Sequence, residues 1–200
     1  KNGVVFERAW ATSSWTAPST ASIFTGQYTD HHGVMMGKIK MSAEAELRYG
    51  GFELTRIPSD LETIPTFMQS RGYRTFGITD NSNICAELGF RRGFDRFTNT
   101  FYEGAPQMNA TLEEWSEEIR SDSPYFLYLH YMDPHGPYRP PAEYPRRFAG
   151  DYQGKPFIKK GNPVPIERML YKGGPDLDLK PEDIEHLRHL YADEIGYFDT

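Results

Sequence analysis

Apolar residues at helical spacing predict a helix in the middle of the chain. Leu112, Trp115 and Ile119 fall on one face at positions i, i+3 and i+7. Thr111 and Glu114 form a capping box, which places the start of this helix at Thr111. We expect the apolar face to pack against the core.

Two further helices are predicted from caps and apolar spacing. Thr63 is a typical N-cap, Pro65 suits the first turn, and Gly72 ends the helix. Its inward-facing side chains are predicted to be Ile64, Phe67 and Met68. Another helix starts at Pro181, and its core-facing stripe is predicted to comprise Ile184, Leu187, Tyr191 and Ile195.

Apolar runs between these helices predict strands. Arg74–Thr79 is a short strand, and Tyr125–Met132 is apolar on both faces, as expected of a central parallel strand. Val4–Phe6 is also strand-like. The alternation of helices and strands predicts an α/β fold with a mixed or mostly parallel sheet flanked by helices. Ligands of such sheets bind at the carboxyl ends of strands, which is where residues 130–135 lie.

Composition and charge narrow the classes of function. Among the 200 residues there are 22 basic and 28 acidic ones, so the net charge of −6 argues against a nucleic-acid-binding surface. No stretch is apolar enough to cross a bilayer. Cys85 is the one cysteine, so no intrachain disulfide forms. Residues 137–181, rich in Pro, Gly, Lys and Arg, are predicted to be a long loop excursion, either a rim near a site or a surface decoration.

Thr16 lies where another helix is predicted to begin. Pro18 suits the first turn, and Gly26 can end the helix with a positive φ, so unpaired backbone N–H groups cluster around Thr16. A sulfate or phosphate group suits this position, and an ordinary Thr-capped helix is the alternative interpretation. His31 and His32 precede a glycine turn, where we expect them to be exposed and not catalytic.

Several ordered motifs accompany Thr16. The segment from Thr16 to Gly26 reads Thr-x-Pro-Ser and closes in Thr-Gly. The other motifs are Gly3–Ala9, His31–Val34, Gly72–Thr75, Gly93–Asp95, His130–Tyr138 and Tyr191–Asp199. In this order the motifs resemble the sulfatases of the alkaline phosphatase superfamily over nearly the whole chain. The resemblance implies an alkaline-phosphatase-like α/β domain, of which residues 1–200 form a central part truncated at both ends, with 137–181 as an excursion within it.

The resemblance places Thr16 at the position of the nucleophile. Sulfatases carry a Cys or Ser there, which is oxidised to formylglycine, and a threonine cannot supply that aldehyde, so no formylglycine is expected. Nucleotide pyrophosphatase/phosphodiesterases carry Thr in the same frame, and metal-activated water can displace a Thr-phosphate intermediate. Small-molecule or glycan esters of sulfate or phosphate are therefore both expected as substrates. Thr20 stands where sulfatases have Arg, which leaves a catalytically silent binding or structural protein as the alternative.

The resemblance implies one further site residue, His135, and the remaining candidates follow from residue type and position in the chain. His135 is expected to contact the anion or the leaving oxygen, and Tyr138 to line the mouth of the pocket. Asn81 and Asn83 are expected to donate hydrogen bonds to an ester oxygen, with a turn-forming loop as the alternative. His130 is either a neighbour of a metal or anion, or a hydrogen-bonded core residue.

A divalent metal is implied as well. It is expected to be calcium if the protein is sulfatase-like, and zinc or manganese if it is phosphodiesterase-like. Thr16 is the metal-facing residue expected in this chain. The carboxylate ligands are expected before Lys1 and after Thr200, so we expect the chain alone to be inactive.

Overall fold

A computed structural model describes residues 3–37, 55–136 and 179–199, together with scattered positions and two short strands between 138 and 164. The chain divides into two compact units, Lys1–Tyr131 and Met132–Thr200. Each unit is described by itself below.

A parallel sheet forms the centre of the first unit. Its strands are β1 (Arg74–Thr79), β2 (Arg96–Asn99) and β3 (Tyr125–His130), in the order β2-β1-β3. Thr79 is in register with both Asn99 and His130, so the carboxyl ends of all three strands meet at one edge. This arrangement confirms the predicted α/β fold with a mostly parallel sheet.

The helices of the first unit flank this sheet. They are α1 (Thr16–Thr25), α2 (Thr29–His32), α3 (Ile64–Ser70), α4 (Ala105–Glu114) and α5 (Ser116–Ile119). One face of the sheet packs in a cluster with α1, centred on Phe24, Phe90 and Phe94. The opposite face packs in a second cluster with α4 and α5, where Trp115 and Ile119 are buried as predicted.

The position of β3 differs from the prediction. Among the described strands β3 lies at the edge and β1 in the centre. Phe126 and Tyr128 pack on one cluster, whereas Leu127 and Leu129 pack on the other. An apolar pattern on both faces therefore reports that two faces are buried, and it says nothing about how many edges are paired.

The start of α4 was also mispredicted. The helix begins at Ala105, and Thr111 lies inside it, where its hydroxyl donates to the carbonyl of Gln107 at 3.0 Å. The N-cap is Gly104, which makes no side-chain capping hydrogen bond, and its position is fixed by Asp80 at the end of β1, whose carboxylate accepts the backbone N–H of Gly104 at 3.0 Å. A helix start fixed from a distant strand leaves no local sequence pattern.

Helix α3 has the predicted cap but not the predicted buried face. Thr63 and Thr66 form a reciprocal capping box. Ile64 and Phe67 are exposed, whereas Pro65 is buried. The reason is that the first turn packs against the backbone at Gly93, where a Cβ would lie 2.3 Å from the nitrogen of Thr66.

The segment Val4–Phe6 does not form the predicted strand. Its side chains are exposed, and no described strand pairs with it. An extended segment without a partner leaves its backbone N–H and C=O groups to water, so apolar composition alone does not make it a strand.

The second unit contains an antiparallel pair, β4 (Phe157–Lys159) and β5 (Asn162–Val164), and the helix α6 (Pro181–Phe198). Most of the predicted excursion at 137–181 lies outside the described residues. None of the described helices is both long and apolar enough to span a membrane.

Helix α6 begins at Pro181 as predicted, but the face that is buried is not the predicted one. Leu187 and Leu190 are buried, whereas the stripe residues Ile184, Tyr191 and Ile195 are exposed. The buried face also contains Asp193, which accepts backbone N–H groups of the neighbouring loop at 2.7 and 3.0 Å. A buried aspartate that binds backbone groups is invisible to a count of apolar spacing.

Candidate functional site: a cavity at the start of helix α1

Helix α1 presents its positive end with no side-chain cap. Thr16 is its first residue, and the preceding Trp15 makes no capping hydrogen bond. The backbone N–H groups of Thr16 and Ala17 therefore have no intrahelical acceptor, and they suit an anion. Gly26, with φ of 66°, ends the helix as predicted and donates its N–H to the carbonyl of Ser22 at 2.9 Å.

A cavity of about 310 Å³ lies against this helix start. Its polar lining brings together the hydroxyls of α1 with two side chains of β3, namely Thr16, Ser19, Thr20, Tyr128 and His130. Ser13, Ser14, Trp15 and Ile23 complete it. Thr16 lines this cavity, and within the described residues its hydroxyl makes no hydrogen bond.

Tyr128 links the helix side of the cavity to its strand side. It forms a hydrogen bond with the side chain of Thr20, and its hydroxyl lies 3.2 Å from Nδ1 of His130. Burial raises the pKa of Tyr128 to about 12, against a smaller lowering by Thr20. Burial also lowers the pKa of His130, against the charge of Asp80, which raises it. The cavity wall is therefore a neutral phenol next to a neutral imidazole at neutral pH.

Both carboxylate oxygens of Asp80 accept hydrogen bonds within the protein. Asp80 is buried at the end of β1 and accepts the hydroxyl of Thr100 and the backbone N–H groups of Glu103 and Gly104, the latter two at 3.0 Å. These hydrogen bonds connect the end of β1 to the residues that precede α4. Its observed contacts are structural.

Asn81 and Asn83 lie in the loop after β1 and do not line the cavity at Thr16. The side-chain oxygen of Asn81 accepts the backbone N–H of Asn83 at 2.8 Å, which is the turn geometry weighed as the alternative. Gly37 packs on Asn83, since a Cβ there would lie 2.1 Å from its Oδ1. Their role in binding substrate stays a prediction.

His32 is buried, contrary to the expectation of exposure. Its Nδ1 accepts the N–H of Val34 at 3.0 Å, so its Nε2 donates to the hydroxyl of Ser22 on α1 at 2.9 Å. Burial lowers its pKa, and hydrogen bonds to the backbone at Pro18 and at His32 itself, with the charge of Asp30, oppose this. His32 is thus hydrogen-bonded to α1 through Ser22. No local signal in the sequence separates it from its exposed neighbour His31.

His135 and Tyr138 belong to the second unit. His135 is exposed, and its Nδ1 lies 2.8 Å from the carbonyl of Gly136, to which it donates. The ring of Tyr138 packs edge-on against Tyr191 at 5.2 Å. The predicted roles of both residues in catalysis and substrate binding stay predictions.

A divalent metal does not fit the described part of the chain by itself. Among the described residues there is no group of three or more His, Cys, Asp or Glu side chains that could hold a metal ion. The cavity at Thr16 offers hydroxyls and one imidazole, whereas calcium takes several oxygen ligands with carboxylates among them, and zinc or manganese also takes more donors. Thr16 as a metal ligand therefore stays a prediction.

The described part of the first unit is thus a parallel sheet flanked by helices, with an uncapped helix start at Thr16. The chain belongs to the Sulfatase family, whose sequence profile matches residues 1–200. The resemblance carried by the ordered motifs is thereby confirmed at the level of the family.

BT4656, whose structure has been solved, shares this fold. BT4656, in complex with its substrate D-glucosamine-2-N,6-O-disulfate, is similar with a TM-score of 0.56 and 16% identity, over 96% of this chain and 52% of BT4656. Ps i-CgsB, in complex with k-i-k-neocarrahexaose and in a second structure, has a TM-score of 0.45 at 14% and 15% identity, over 94% of this chain and 44% of Ps i-CgsB. The chain thus spans about half the length of BT4656. No curated protein matches it significantly in sequence.

Proposed function

We propose that this chain supplies the nucleophile and the anion-binding helix of a hydrolase that acts on sulfate or phosphate esters. The observation that carries the proposal is the hydroxyl of Thr16, which has no hydrogen-bond partner among the described residues and lies beside the free N–H groups at the start of α1. Such N–H groups stabilise negative charge that develops on ester oxygens.

In the proposed reaction the non-bridging oxygens of the ester accept hydrogen bonds from the N–H groups of Thr16 and Ala17. The oxygen of Thr16 attacks sulfur or phosphorus, the bond to the leaving oxygen breaks, and the proton of the hydroxyl passes to the departing alcohol. Water then attacks the threonine ester, so Thr16 regains its proton and the product leaves, which is inorganic sulfate or phosphate from a monoester and a phosphate monoester from a phosphodiester. His135 is proposed to assist the leaving oxygen, and Tyr138 to contact the substrate.

The choice of nucleophile favours phosphate esters. A threonine ester of phosphate can be displaced in line by water, whereas a threonine cannot expel sulfate by collapse to an aldehyde. A sulfated glycan is the other proposed substrate. The structure of BT4656 in complex with its substrate D-glucosamine-2-N,6-O-disulfate supports it, because BT4656 shares the fold.

A catalytically silent protein is the second candidate. Thr20 replaces the expected arginine and is hydrogen-bonded to Tyr128, and the carboxylate of Asp80 is occupied by structural contacts. Under this alternative the anion binds at the start of α1 without turnover.

Substitution of Thr16 in the intact protein that carries this chain tests the proposal. Thr16→Ser should retain turnover of an aryl phosphodiester or aryl sulfate, and Thr16→Ala should lower it by roughly a thousand-fold or more. Thr25→Ala is the matched control, because its hydroxyl caps a carbonyl at the far end of the same helix. Near-normal rates in Thr16→Ala would exclude Thr16 as the nucleophile.

A further inference from the structure

A short chain of hydrogen bonds runs along the wall of the Thr16 cavity. It begins at the hydroxyl of Thr20 on α1, continues through the hydroxyl of Tyr128, and ends at Nδ1 of His130, 3.2 Å away. Tyr128 and His130 are two residues apart in β3 and therefore point to the same face of the sheet. Their rings lie 6.2 Å apart at an angle of 29°.

The tautomer of His130 depends on which atom donates in its contact with Tyr128. When Tyr128 accepts from Thr20, its own proton is directed to Nδ1 of His130. A neutral imidazole whose Nδ1 accepts carries its proton on Nε2. Burial keeps the imidazole neutral by lowering its pKa, while the charge of Asp80 opposes this.

The backbone holds His130 firmly in place. His130 pairs with Thr79 in β1, and its carbonyl accepts the N–H of Asp80 at 2.9 Å. Asp80 is in turn fixed to the start of α4. The imidazole is therefore held in the cavity wall by the sheet and by Tyr128, and in the tautomer whose Nδ1 accepts from Tyr128 its remaining donor is Nε2.

We propose that His130 contacts the substrate directly, donating its Nε2–H to a non-bridging oxygen of the tetrahedral anion in the Thr16 cavity, with Tyr128 as the positioning residue that sets its tautomer. The proposal rests on the proposed function, because it places the anion at the start of α1. Three groups, the two N–H groups of the helix and this imidazole, then surround the anion.

Two substitutions of His130 separate this role from a structural one. The amide nitrogen of His130→Gln reaches the place of Nε2, whereas the amide of His130→Asn reaches only Nδ1 and so keeps the bond to Tyr128. We expect kcat/KM to fall by no more than about threefold in His130→Gln and by roughly ten- to a hundredfold in His130→Asn, since the lost bond is to a charged group. A purely structural His130 would give the opposite order, and that order would overturn the proposal.

The tautomer can be observed directly. A long-range ¹H–¹⁵N correlation spectrum of the intact labelled protein should show His130 protonated on Nε2, and Tyr128→Phe should lose this preference. Tyr131→Phe is the control, because its hydroxyl bonds Asn109 instead and should leave the spectrum of His130 unchanged. Protonation of His130 on Nδ1 in the unsubstituted protein would contradict the proposed hydrogen bond from Tyr128 to Nδ1.

Anion binding in the absence of turnover distinguishes this inference from the proposed function. In a Thr16→Ala background, titration with inorganic phosphate and with inorganic sulfate should show weaker binding when His130→Asn is added, for whichever anion the site accepts. Equal affinities would refute the role of His130 even if Thr16 proves to be the nucleophile. Full hydrolysis by Thr16→Ala would refute the proposed function, while the titration would still report on His130.

Discussion

Removal of the Asp80 carboxylate provides a quantitative test of the architecture around the site. Three donors depend on it, the hydroxyl of Thr100 and the backbone N–H groups of Glu103 and Gly104. Asp80→Ala leaves all three part-buried donors without their acceptor. An unsatisfied buried group costs about 1–3 kcal/mol, and because these three donors are only part-buried the lower end of that range applies to each, so we expect the free energy of unfolding to fall by roughly 3–5 kcal/mol.

A graded variant makes the test specific. Asp80→Asn keeps one oxygen, so it can still serve Thr100 and Glu103, but its amide nitrogen cannot accept from Gly104. We expect a loss of about 1–2 kcal/mol. Asp122→Asn is the control at an exposed aspartate for which no contact is found among the described residues, and it should change stability by less than about 0.5 kcal/mol.

Urea unfolding of the intact protein, followed by circular dichroism, measures these differences from the shift of the midpoint at a constant slope. Esterase activity of Asp80→Asn should be retained under conditions where the protein is folded. If Asp80→Asn unfolds like the unsubstituted protein and yet loses activity, Asp80 acts in the reaction and its structural assignment is wrong.

Two further predictions concern stability. Gly77→Ala should lower the free energy of unfolding by about 1–3 kcal/mol, because a Cβ would lie 2.8 Å from the ring of Phe97, whereas Gly150→Ala, with no atom within 4 Å, should be neutral in the same urea titration. His32 has a pKa below its ordinary 6.5 in the folded state, so the unfolded state binds more protons, and stability should fall as the pH decreases below 6.5. The thermal midpoint should depend less on pH in His32→Gln than in the unsubstituted protein. In His31→Gln its pH dependence should be unchanged. An unaltered pH dependence in His32→Gln would contradict the burial of a neutral imidazole.

Elements with local signals could be predicted from the sequence. The helix from Thr16 to Gly26 has its proline in the first turn and its glycine at the C-cap, and the strand Arg74–Thr79 lies between a helix end and a polar loop. Because these signals lie within a few residues, they locate the element correctly.

Features that depend on distant contacts could not be predicted. The start of α4 depends on the carboxylate of Asp80, and the buried face of α6 depends on Asp193 binding a loop. At the candidate site, the place of Thr16 at the start of α1 could be predicted from the flanking proline and glycine. The contact of Tyr128 with Thr20 exists only after β3 and α1 have packed together, so the sequence left the role of His130 open.

The central claim is that Thr16 forms a covalent bond with the transferred group. The most direct measurement is to mix the intact protein with an aryl phosphodiester or an aryl sulfate, stop the reaction in acid within one turnover, and map the modified peptide by mass spectrometry. The account predicts a phosphoryl or sulfuryl group on Thr16, and none in Thr16→Ala. Turnover with unmodified Thr16, or with the group on another residue, would contradict it.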